Sequence, residues 1–383
     1  MMEFKHRLNW VDGMKINKDH FIDFEDSMMQ QLMVMHSNYV HQNNYGLLPS
    51  PGDRELPVKL SISMDGPESL LITVSKCLAV TLGGYQIIIN DEINTFLEQS
   101  GHIIKNKFAL NVENKTWYIV LSVNPFKRIP IGYSNPEEEP VRKPFVIGAY
   151  QISLVSESEI NNQEVGLNSV TIGKVYTDGD HARLIEDFIP PCTSVQSHPD
   201  LRYAFLEVDT FFNGMELYCT QVIQKIYQKK QANDLAKMVL ALSNDVLTYL
   251  RAVITTYRIN DKYASPVEMI IKLVSLARTI KGSLDLHVGT GKENLLNYLT
   301  DWCDVNQGAF ENVLDDMISL EYLHNDINVA LQKVSGFTAL MSSLFKKLNE
   351  LEYIGKKSDS NIFVKEDVIV EEQVKKRRRF FME

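Results

Sequence analysis

Cysteine is scarce: the 383 residues hold four, at Cys77, Cys192, Cys219 and Cys303, far apart and without a Cys-x-x-Cys pair. That excludes a dense disulfide framework, and a reducing compartment fits best. Cations are outnumbered, 39 Lys and Arg against 49 Asp and Glu for a net charge of −10, which argues against a nucleic-acid-binding body. No uninterrupted apolar run approaches the roughly 18 residues that span a bilayer. The start, Met1-Met2-Glu3-Phe4-Lys5-His6-Arg7, is too charged for the apolar core of a signal peptide. A cytoplasmic protein is expected.

Catalytic signatures are also missing. There is no Gly-x-Ser-x-Gly elbow and no cysteine in a nucleophile context. His287-Val288-Gly289-Thr290-Gly291-Lys292 resembles a phosphate loop, but Leu286 stands where its first glycine should, and Glu293 follows where a magnesium-binding hydroxyl is needed. It reads as a loop between helices. The acidic group Asp178, Asp180, Glu186 and Asp187, with His181 among them, has neither calcium-loop nor zinc spacing. No catalytic residue, metal, cofactor or small-molecule substrate is expected, and the chain reads as a non-enzyme.

With 44% apolar and 23% charged residues, the chain has ordinary globular composition and the length of two or three packed units. The expected class is α+β and multidomain. Residues 1–190 read as a β-rich, sandwich-like domain, with apolar runs at Val58 to Met64, Leu70 to Leu82, Tyr85 to Asn90, Trp117 to Val123 and Phe145 to Val155. Asp65-Gly66, Gly83-Gly84 and the proline-rich stretch from Pro125 to Pro144 break them. Lys59 to Met64 alternates as a half-buried strand does. The character changes at Pro190-Pro191, which forbids a helix.

Residues 191–350 read as a helical bundle. Leu235, Val239, Leu242, Val246, Leu250, Val253 and Tyr257 recur at helical spacing. Ser265-Pro266-Val267-Glu268 starts a second helix, with Ser265 as cap, Pro266 in the first turn and Glu268 closing a capping box; it runs to about Ile280, where Gly282 interrupts it. Val313, Met317, Leu320, Leu323, Ile327, Leu331, Val334, Phe337, Met341, Leu344 and Leu348 mark a last stretch that Gly336 splits. From the pattern alone such stripes read first as an ordinary intramolecular bundle core, and a seam near a 3.5-residue repeat also allows packing between copies. Residues 351–383 form a short tail ending in Lys375, Lys376, Arg377, Arg378, Arg379, Phe380 and Phe381. This cluster suits anionic headgroups, an acidic protein patch or plain solvation.

Three segments together resemble the TssK family of type VI secretion baseplate proteins. Leu8-Asn9-Trp10-Val11-Asp12-Gly13-Met14, followed by Asp19-His20-Phe21, is similar to the family's opening, although Asn17-Lys18-Asp19 departs from its Pro-Gln. Phe188-Ile189-Pro190-Pro191-Cys192 with Ser197-His198-Pro199-Asp200-Leu201 resembles the passage from β domain to helices. Tyr249-Leu250-Arg251, Ser265 to Glu268 and Leu276-Ala277-Arg278 resemble the paired neck helices.

Over residues 1 to 350 the resemblance implies a shoulder domain, related in fold to phage receptor-binding proteins, and a trimerising neck. It implies an adaptor joining the TssF and TssG wedge proteins to the envelope complex at the inner-membrane face. Wedge contact is carried onto Trp10, Gly13, Met14, His20 and Phe21, though Trp10 and Phe21 fit a core equally well. The trimer seam is carried onto Leu235, Val239, Leu242, Val246, Leu250 and Val253, with Val313, Met317, Leu320, Ile327, Leu331 and Val334. The family's C-terminal head has no counterpart here, so Lys375 to Phe381 is expected to replace it as the envelope contact. The alternative reading is a phage-tail-like receptor-binding or baseplate component.

Overall fold

The computed structural model describes residues 5–50, 56–66, 69–102, 104, 106–110, 115–160, 166–178, 181–303 and 306–355. The chain divides into two compact units, one of Met1–Arg202, Tyr263–Val267 and Leu323–Asn328, the other of Tyr203–Lys262, Glu268–Tyr322 and Val329–Glu383. The tail cluster Lys375 to Phe381 lies outside the described residues.

The first unit opens with helix α1 (Lys18–Ser37) and continues through β1 (Gly46–Leu47), β2 (Val58–Met64), β3 (Ser69–Val80), β4 (Gln86–Ile89), α2 (Asp91–Gln99) and β5 (Lys107–Ala109). Then come β6 (Thr116–Ile131), β7 (Phe145–Ser156), the short α3 (Glu157–Ile160), β8 (Ser169–Asp178) and β9 (His181–Leu184). Every strand pairing is antiparallel. β3 is the pivot of the first sheet: β2 and β1 succeed each other along one edge, β5 and β4 along the other. The second sheet runs β7-β6-β8-β9. Its β8 approaches β2 so closely that a Cβ on Gly173 would come within 2.6 Å of Leu60 Cδ1, so the sheets face each other as a sandwich does.

β2 alternates between half-buried and exposed residues along its whole length, as its sequence does. β6 departs from expectation by continuing past Val123 through Pro125 to Ile131. Its register shifts between Asn124 and Arg128, where Asn124 Oδ1 accepts the Phe126 and Lys127 amides at 3.1 and 3.2 Å. A bulge leaves no ladder bond for the proline to break.

The double proline is stitched to β1. Leu47 N–H donates to Pro191 O at 2.7 Å, and Thr193 N–H donates to Leu47 O at 3.0 Å. Gly46, at φ +110°, lies beneath Pro191, whose carbonyl oxygen would sit 2.1 Å from any Cβ there. Farther along, His198 Nδ1 accepts the Asp200 amide at 3.3 Å just before the next helix.

In the same unit, Asp326 meets Lys174 Nζ at 3.0 Å and the Tyr118 hydroxyl at 3.4 Å, and His324 Nε2 meets Tyr45 O at 2.8 Å. Nothing in the sequence pattern pointed to these polar contacts, because their partners stand more than a hundred residues away.

The second unit is helical: α4 (Pro199–Gln228, whose first residues belong to the other unit), α5 (Asp234–Ile259), α6 (Pro266–Asp285), α7 (Lys292–Cys303), α8 (Gln307–Ile318) and α9 (Ile327–Glu350). Tyr257 organises its core: the ring stacks on Phe205 at 4.3 Å, meets Phe212 edge-on at 5.2 Å, and donates its hydroxyl to Phe205 O at 2.8 Å. Two boundaries differ from expectation. α6 runs through Gly282, and the last stretch breaks at residues 319–326 while Gly336 stays inside α9. A lone exposed glycine weakens a helix without ending it, and a Cβ at Gly282 or Gly336 would meet nothing.

The expected trimer seam runs along helix faces that are largely internal to one chain. Val239, Leu242, Val246, Leu250, Met317, Ile327, Leu331 and Val334 are all buried within a single chain, and Leu235, Val253, Val313 and Leu320 are half-buried. A helical stripe reports that a face is covered, not by whom. Here the same chain covers eight of the twelve positions. The apolar α5 is long enough to cross a bilayer by length and composition, yet Val239, Leu242, Val246, Leu250 and Tyr257 form core.

Two expectations follow. Gly46→Ala should cost more than about 3 kcal/mol, because neither the left-handed backbone nor the proline can yield; a loss under about 1 kcal/mol by denaturant titration would refute the close approach. Burial holds His198, assisted by Arg202, and His324, where His41 adds a smaller push, at about 4 instead of 6.5. Folding therefore prefers the neutral rings, so their contribution is complete above pH 6.5 and is lost as pH falls toward 4, by on the order of 3 kcal/mol each. The melting temperature should drop over that window, and less steeply in His324→Gln.

Candidate docking face

The region that carries the opening resemblance builds a surface. Gly13 takes φ +78° in a turn closed by Met14 N–H to Val11 O at 3.2 Å. Asn17 then starts α1: its side chain accepts the His20 amide at 3.1 Å, while His20 Nδ1 accepts the Asn17 amide at 3.2 Å. This reciprocal pair is a capping box in which histidine replaces the usual Glu or Gln. Asn17-Lys18-Asp19-His20 thus starts the helix by capping.

α1 is inverted relative to an ordinary surface helix. It buries Asp26, Ser27, Gln30 and Met33 and exposes Phe21, Phe24, Met28, Met29, Leu32 and Met35. Arg128, from the bulge of β6, explains the polar inner face: its guanidinium reaches Glu25 Oε2 at 2.6 Å and Asp26 Oδ1 at 3.5 Å. Gln30 Oε1 accepts the Lys5 amide at 2.6 Å. At the C-terminal end, His36 Nδ1 meets Gly84 O at 3.0 Å, and a Cβ on Gly84 would lie 2.6 Å from His36 Cβ. Polar pairs and a tight turn anchor one side, so the apolar side is left to water.

Of the residues carried over from the resemblance, the Trp10 and His20 rings lie 6.3 Å apart, and Gly13, Met14 and Phe21 flank the start of α1 along the chain. Trp10 is 46% and Phe21 57% exposed, so neither is a core residue, while Met14 and His20 are half-buried. Gly13 and His20 shape the backbone, and Trp10 and Phe21 supply apolar surface. Sequence reasoning missed Phe24, Met28, Leu32 and Met35. Their spacing is itself a helical stripe, which periodicity assigns to a core.

Chemistry is sparse elsewhere. Among the described residues no group of His, Cys, Asp and Glu could hold a metal. Cys77, Cys192 and Cys219 are buried thiols; burial pushes Cys77 and Cys219 up to about 12 and raises Cys192 as well, away from thiolate reactivity. Lys292 of the phosphate-loop lookalike is held by Asp285 at 2.7 Å and Glu311 at 3.2 Å.

Replacing Arg128 with alanine should leave buried Asp26 without its cation. Amide exchange in α1 should accelerate at least tenfold while α4 to α9 keep their protection; unchanged exchange in α1 would show that its anchorage lies elsewhere.

No protein family matches this sequence, and no curated protein matches it. Among solved structures the chain is similar to a crystal structure of TssK, at 12% identity over 92% of this chain and 70% of that one, with a TM-score of 0.49. It is similar to TssK of the EAEC type VI secretion system bound to a nanobody (13% identity, 85% of this chain and 99% of that one, TM-score 0.45). A TssK-TssF-TssG baseplate subcomplex also contains a similar chain (13% identity, 91% and 99%, TM-score 0.41). Identities this low carry no residue-to-residue correspondence.

Proposed function

We propose that this chain is a structural adaptor of a type VI secretion baseplate, acting by binding alone. In this reading the first unit grips the TssF and TssG wedge proteins, three copies assemble, and the far end meets an envelope complex at the cytoplasmic face of the inner membrane. The basic Lys375 to Phe381 cluster is the proposed envelope contact.

One observation carries the reading. The segment resembling the TssK opening is the segment that leads into an apolar helix face exposed among the described residues, from Trp10 through Phe21 and Phe24 to Leu32 and Met35. A contiguous apolar face of this kind on a soluble surface marks a protein interaction site, and aromatic residues dominate the energy of such sites.

The test is capture of purified TssF–TssG complex by the immobilised chain. Phe21→Ala should weaken capture by about 30-fold, equivalent to about 2 kcal/mol. The combined Phe21→Ser, Phe24→Ser and Leu32→Ser variant should abolish it without lowering the melting temperature. Undiminished capture by the triple variant would overturn the wedge assignment.

A further inference from the structure

Sulfur is unevenly placed on the surface. Of the described methionines, Met33, Met215, Met238, Met269, Met317 and Met341 are buried, and Met14 and Met64 are half-buried. Met28, Met29 and Met35 are exposed, at 45%, 37% and 59%, and all three stand on α1. The thiols of Cys77, Cys192 and Cys219 are buried. Among these side chains, an oxidant dissolved in water meets sulfur first on one helix.

Placement on that helix gives the chemistry its consequence. Phe21, Phe24, Met28, Leu32 and Met35 follow one another at steps of three, four, four and three, which is a single helical stripe. Met29 lies at its rim. Met33 turns instead to the anchored side with Asp26 and Gln30, and is 5% exposed. The contacts that fix α1 run through Glu25, Asp26, Gln30 and His36, so a change at Met28 or Met35 alters the outer face and leaves the anchorage.

We propose that Met28 and Met35 are oxidation sites, and that converting their thioethers to sulfoxides closes the α1 face to its partner. The oxidant class is a peroxide. The sulfur lone pair attacks one oxygen of hydrogen peroxide, the O–O bond breaks, and the departing hydroxide takes the proton from the new S–OH group to become water. Sulfur loses two electrons and gains an oxygen, and the peroxide is reduced. A thioether is apolar and adaptable, whereas a sulfoxide is polar and carries an acceptor oxygen. Burying that oxygen against an apolar partner surface without a donor is unfavourable. Methionine sulfoxide reductases, one for each epimer, reverse the change. The effect on binding rests on the wedge reading above, while the oxidation itself does not.

The test treats the full chain with hydrogen peroxide and follows each methionine by peptide mass spectrometry. Met28 and Met35 should gain one oxygen at least about tenfold faster than Met33 of the same helix, because susceptibility follows exposure. Equal rates would overturn the site assignment. The oxidised, immobilised chain should then capture purified TssF–TssG complex about tenfold more weakly than the untreated chain, with an unchanged circular-dichroism spectrum, and the two reductases should restore capture. The Met28→Leu, Met35→Leu double variant is compared with itself: whatever its starting strength, capture should be the same before and after peroxide. Loss of capture in that variant would place the sensitive group elsewhere, and an altered spectrum would show oxidation acting on the fold; either result overturns the switch. Undiminished capture by the unaltered chain carrying both sulfoxides also overturns it and leaves the adaptor reading intact. No capture before any peroxide is added overturns the wedge reading and the switch with it, and the mass spectra then decide the oxidation sites separately.

Discussion

Arg128 stands on the bulged strand β6 and holds the carboxylates of Glu25 and Asp26, and the orientation of the whole first helix follows from that contact. A buried carboxylate such as Asp26, 8% exposed, is tolerated only where a cation and further hydrogen bonds compensate its lost hydration. The polar side of α1 therefore faces the sheet. Phe21, Phe24, Leu32 and Met35 are turned outward as a consequence, and rolling the helix to hide them would break both contacts to Arg128. The bulge that lets Pro125 sit inside a strand is also the device that positions Arg128.

The helical unit solves the opposite problem. Its apolar stripes are satisfied within one chain around Tyr257, Phe205 and Phe212, leaving α5, α8 and α9 with solvated, charged outer faces. The proposed adaptor role thus depends on the exposed apolar face of α1.

Much of the fold was legible in the residues. Val58 to Met64 is β2 with its alternation intact, and Leu235 to Tyr257 lies within α5. Ser265-Pro266 precedes α6 with Pro266 as its first residue. The site was legible in part. The Trp10 to Phe21 segment was singled out, while the rest of the α1 face was not, since its stripe has the period of a core helix.

The sequence by itself determined which residues share a face, because φ/ψ preferences, side-chain period and caps such as Asn17 are local properties of the chain. Only the tertiary structure decided which faces are covered and by what. Arg128 reaches Asp26 across 102 residues of sequence, and Pro191 closes over Gly46 from farther still along the chain. Burial is a property of such long-range contacts, and no local pattern distinguishes a stripe turned toward its own chain from one turned toward another.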